Sequence, residues 1–127
     1  PPMNFLNITK AGDTLTFGDG NKVATFGNFK TVADGSYVAG FRPNHLEVSK
    51  QSDDALEFAG KLNVTEITGS ETFIHLDHHG ENWVGLVHGV KDLKIGAPLN
   101  VYLDPTHVYI FAEDGTSVAP ASYAAAA

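Results

Sequence analysis

Chain-reversing residues punctuate this sequence so often that no long element fits between them. Thirteen glycines and six prolines are spread through 127 residues. Breaks recur about every eight to twelve residues, the spacing of an all-β sandwich or barrel. No window of eleven residues keeps apolar side chains at i, i+3, i+4 and i+7, so helices are not expected. Leu15–Phe17 and Val23–Phe26 flank Gly18-Asp19-Gly20-Asn21, a hairpin pattern because glycine tolerates positive φ. Met3–Ile8 and Ser36–Arg42 read as further strands, and Pro43–Leu46 as one helical turn.

The second half reads as five strands: Leu56–Thr68, Glu71–His78, Trp83–Val87, Leu99–Leu103 and Val108–Phe111. The first is long and contains Gly60, which suggests a bent or bulged strand. Gly89–Gly96 is expected as a loop, and Asp104-Pro105-Thr106 as a turn. The count and the bend suit an OB-fold-like Greek-key barrel, with short N-terminal strands completing it. One domain over residues 1–117 is expected, with N-terminal strands in 1–50 and the main barrel in 56–115. Residues 118–127, ending in four alanines, read as a tail. A start at Pro1, with Met3 inside, reads as a fragment.

Composition narrows function. The net charge is −7, and Arg42 is the sole arginine among eight basic residues. A surface that tracks phosphates needs clustered cations, so nucleic-acid binding is disfavoured. Phe17, Phe26, Phe29 and Phe41 would supply stacking rings for such a ligand, but the charge opposes it. Cysteine is absent, which removes thiol chemistry and Cys-type zinc sites. There is no Gly-x4-Gly-Lys-Ser/Thr phosphate loop and no Gly-x-Ser-x-Gly elbow. Asp53-Asp54 and Glu113-Asp114 sit in polar turns and read as solvated carboxylates. No catalytic residue is assigned, and the chain is not expected to be an enzyme by itself.

The densest group of metal-ligating types is His75, Asp77, His78 and His79. On a strand His75 and Asp77 face one side, where nitrogen and oxygen would suit a divalent ion. A solvated strand end is the stronger reading, because no third ligand stands at a useful spacing. His45, His88 and His107 are isolated. Arg42, before Pro43, reads either as an exposed arginine or as a bidentate partner for a carboxylate such as Glu47 or Glu71.

Several segments, in order, resemble a known family. Pro2–Leu6 resembles the junction after the nucleotide-binding domain in ATPase subunits of maltose-type ABC importers. Gly40-Phe41-Arg42-Pro43-Asn44-His45-Leu46 resembles the Gly-Ile-Arg-Pro-Glu-His-Leu of that family. Gly69-Ser70-Glu71-Thr72, then Leu93–Gly96, and Asp104–Phe111 with Asp114-Gly115, resemble its later strands and closing turn. Phe41 and Asn44 depart from the pattern, and Asn44 removes an acid. The resemblance implies a C-terminal regulatory region of the transport-associated OB (TOBE) type. It implies a homodimer, membrane subunits met through an ATPase domain upstream of Pro1, and a regulatory protein or small ligand. ATP and magnesium would belong to that upstream domain, with no cofactor in this chain. Location would be cytoplasmic, peripheral to the inner face of the membrane. Arg42, Glu71, Tyr102, Pro105 and Phe111 are the expected interface or regulatory residues, with Phe111 also suited to the core. The alternatives are a module binding a small sugar or oxyanion, and a free-standing OB-fold binding protein.

Overall fold

The computed structural model describes residues 3–88 and 92–122. Every regular element among them of more than four residues is a strand. Two compact units form: Pro1–Asn4 with Arg42–Asp104, and Phe5–Phe41 with Pro105–Ala127.

The first unit is built on a five-stranded antiparallel sheet. Its strands are β5 (Leu46–Glu47), β6 (Leu56–Thr68), β7 (Glu71–His78), β8 (Glu81–His88) and β9 (Pro98–Leu103). The order β5-β9-β6-β7-β8 places a three-strand meander beside a strand that returns to pair with the first of them, the Greek-key order. β6 has the expected bounds, and its register slips between Leu62 and Val64. A bulge bends a strand and increases its twist, which helps the sheet curl. Gly60 has a different role: a Cβ there would collide with Leu76 Cδ1, so glycine lets β7 lie close. Curling brings the two ends of the sheet together. A Cβ on Gly85 of β8 would lie 3.2 Å from the Leu46 carbonyl of β5, so the barrel is nearly closed.

Alternation fills its interior. On β7 Thr72, Ile74, Leu76 and His78 are buried while Phe73, His75 and Asp77 face outward. Leu46, Phe58, Leu62, Trp83, Val101 and Leu103 complete the core. Trp83 meets Phe58 edge-on at 5.2 Å, a favoured aromatic geometry.

The second unit holds a six-stranded sheet. Its strands are β1 (Asn4–Ala11), β2 (Thr14–Phe17), β3 (Lys22–Ala24), β4 (Gly35–Phe41), β10 (Tyr109–Phe111) and β11 (Ser117–Ala119). The order is β11-β10-β4-β1-β2-β3. β2 and β3 form the expected hairpin. The strict buried-exposed alternation of β1 puts Leu6 and Ile8 inside and Phe5, Asn7 and Thr9 outside. Leu15, Phe17, Phe29, Ala39, Phe41 and Ile110 join the buried set. Lys10 is buried too, and its Nζ donates to the Val32 carbonyl at 2.5 Å, which satisfies one of the ammonium's three donors.

Three strand assignments are corrected. Tyr109–Phe111 pairs with β4 in the six-stranded sheet, while the fifth barrel strand is Leu46–Glu47. Two residues carry no periodicity, so that strand had no sequence signal. Ser117–Ala119, which crosses the expected boundary between the fold and the 118–127 tail, pairs with β10 after the turn at Asp114-Gly115 reverses the chain. Strand β8 extends to Glu81–His88. Of the expected loop Gly89–Gly96, residues 89–91 lie outside the described residues, as do 123–127 of the expected tail.

Candidate functional site

The histidine group divides by strand parity. His75 projects outward, and its Nε2 lies 2.7 Å from Glu66 Oε1 on β6. Asp77 is exposed on the same face, opposite Lys61 and Asn82 in the strand registers. Among the described residues no three His, Asp or Glu side chains gather as a metal site would need. Glu66 was the residue sequence reading missed. It is nine positions from His75, and only the β6–β7 register brings the two close.

His78 corrects the solvated reading of this strand end. It is 2% exposed and stacks on Trp83 at 4.2 Å and 19°. Its Nδ1 lies 2.8 Å from the Ala59 carbonyl. The parity that buries Ile74 and Leu76 also points His78 inward, and that signal was present in the sequence.

The interface candidates scatter. Arg42 is exposed and extended, as a residue before proline must be, and its carbonyl accepts the His45 N–H. Glu71 is half-buried at the start of β7, with Oε2 3.9 Å from His88 Nδ1. Tyr102 faces outward on β9, opposite Glu47 on one side and Glu57 on the other. Its carbonyl accepts a hydrogen bond from Gln51. Pro105 and Phe111 belong to the second unit, Pro105 opening a 3₁₀ turn. Phe111 is half-buried on the outer face of the six-stranded sheet, edge-on to Phe5 at 6.2 Å and 71°.

That outer face carries two adjoining open hollows. Phe5, Val38 and Phe111 line one, and Asn7, Thr16 and Ser36 help line the other. Glu113 borders both. Its turn is tightly tied. The Ala112 N–H donates to the Thr116 carbonyl at 2.8 Å, and the Gly115 N–H donates to the Ala112 carbonyl at 2.9 Å. The Asp114 carboxylate accepts from Thr116 Oγ1 at 2.6 Å and from its N–H at 2.9 Å. These bonds, the hydroxyl's first, hold the Asp114 carboxyl below its ordinary value. No helix among the described residues is long and apolar enough to cross a membrane.

Residues 39–111 match the family model of the TOBE domain. The chain belongs to the TOBE domain family. The matched TOBE segment contains every barrel strand and ends at Phe111. The maltose/maltodextrin import ATP-binding protein MalK of Mannheimia succiniciproducens is 29% identical over 92% of this chain and 34% of its own length. MalK of Photorhabdus laumondii is 30% identical, covering 92% and 33%. MalK of Escherichia coli K12 is 36% identical over 61% of the chain and 21% of its own length. This TOBE chain thus spans about a third of the length of the longer-matching relatives. A crystal structure of the cytoplasmic molybdate-binding protein ModG, with molybdate bound, superposes with a TM-score of 0.65. It is 18% identical and covers 86% of this chain and 95% of that one, a likeness of fold.

Proposed function

We propose that this TOBE chain is the regulatory and dimerisation region of the ATP-binding subunit of a carbohydrate ABC importer. The observation that carries the reading is the MalK likeness, which runs through 92% of the chain rather than one motif. The chain's own part is mechanical. Two ATPase domains must separate and rejoin in each cycle, and a contact elsewhere keeps them at high effective concentration. One self-complementary patch around a two-fold axis serves that purpose. ATP and magnesium belong to the ATPase domain, through which the subunit meets its membrane partners at the cytoplasmic face. A regulatory protein or small ligand acts on the region described here.

Tyr102 is our candidate centre for self-association, because tyrosine offers rigid contact area with a polar tip. Its flanking Glu47 and Glu57 set a testable condition. Two copies meeting there bring like charges together, so raised ionic strength should strengthen the pair. Sedimentation of the chain across concentration tests this. A dimer that tightens with salt and weakens at least tenfold in Y102A supports the reading. A monomer at every concentration and salt level contradicts it. The small-ligand alternative is favoured by one observation, the paired hollows beside Glu113.

A further inference from the structure

We infer that the outer face of the six-stranded sheet is a binding site for a neutral saccharide. Two hollows of about 520 Å³ each, open solvent included, lie side by side within one unit and share Glu113. Their chemistry differs. In the first, Phe5 and Phe111 come from the strands on either side of β4, and Val38 lies opposite Phe111 between them. Phe5 remains 47% exposed, a large ring presented to water rather than to the core. In the second hollow, Thr16, Ser36 and Asn7, which carry hydroxyls and an amide, are among the lining residues. Each both donates and accepts hydrogen bonds.

A pyranose has these two surfaces. Its axial C–H face is apolar and sits on an aromatic ring, while its hydroxyls donate and accept in the ring plane. The aromatic hollow takes the first surface and the hydroxyl-amide hollow the second. The Glu113 carboxylate between them accepts from two sugar hydroxyls, a charge-assisted pair stronger than neutral bonds. The same carboxylate repels an oxyanion, and among the described residues neither hollow is lined by lysine or arginine. A net charge of −7 repels a nucleic-acid backbone likewise. The tied 112–116 turn fixes the backbone that carries Glu113, which lowers part of the ordering cost of binding.

The site stands on the geometry of one sheet. Only the choice of a maltodextrin as first probe rests on the importer reading. The test is an amide-resolved NMR titration of the ¹⁵N-labelled chain with maltotriose, trehalose and N-acetylglucosamine, with sodium sulfate as the anionic control. The expected result is saturable shifts from at least one saccharide, centred on Phe5, Ser36, Val38, Phe111 and Glu113. F5A and E113Q should each weaken that binding at least tenfold, and sulfate should leave these amides unmoved. Both changed side chains border an open hollow, and unchanged amides elsewhere in the spectrum certify each variant's fold. Absence of saturable shifts with all three saccharides overturns the site, as do shifts centred elsewhere or binding that survives both variants. The two proposals fail separately: a monomer that binds saccharide contradicts the dimerisation reading alone, and a dimer that binds none contradicts this site alone.

Discussion

Gly60 and Gly85 stand where a Cβ would crowd neighbouring barrel atoms. A Cβ on Gly60 would strike Leu76, a side chain with no exposed surface, and come within 3.2 Å of the Asp77 carbonyl. G60A should therefore destabilise the chain by about 1–3 kcal/mol through overpacking. Trp83 is the single tryptophan and is fully buried, so its fluorescence reports the shift in denaturation midpoint directly. Asp114 offers a second test at this scale. Its folded carboxyl lies below 3.8 because Thr116 bonds the ionised form, by its hydroxyl and then its N–H. A depressed carboxylate contributes stability above its unfolded value and loses it as pH falls through the folded one. The turn should thus hold throughout neutral and mildly acid solution and loosen below 3.8. T116V removes the hydroxyl bond and should raise the Asp114 titration point toward 3.8, read by carboxyl-carbon NMR.

At the scale of elements, strand β8 poses the edge problem, since it ends the sheet order. Asn4 answers it. Its side-chain amide donates to the Val84 carbonyl at 2.8 Å, and its Oδ1 accepts the Val84 N–H at 2.8 Å. Both bonds are made by a residue that is 5% exposed. N4A should cost about 1–3 kcal/mol, because it strands buried polar groups. Faster hydrogen exchange at the Val84 amide is the local readout. This bridge spans 80 residues, so nothing in the sequence near Asn4 or Val84 announces it. Elements governed by alternation were legible: β6, β7 and the β2–β3 hairpin follow from parity and glycine turns. Elements governed by pairing were not. The two-residue β5 and the short β11 exist through their partners β9 and β10. The site shows the same split. His78 was legible as an inward residue on parity, while Glu66 beside His75, and Phe5 beside Phe111, needed the registers of the folded sheets.

For the molecule as a whole, the family match and the two units give complementary accounts. The TOBE segment 39–111 contains the barrel, whose interior is filled by Trp83, Phe58, His78, Thr72 and aliphatic side chains, and it also supplies β10 of the six-stranded sheet. The central claim, that this chain belongs to an importer's ATP-binding subunit, is tested most directly by reading the coding sequence upstream of Pro1 in the same frame. The expected result is an open frame encoding Gly-x4-Gly-Lys-Ser/Thr and a nucleotide-binding domain that runs into Pro1. A start codon close to Pro1, with no such frame before it, would contradict that membership and leave a free-standing TOBE module.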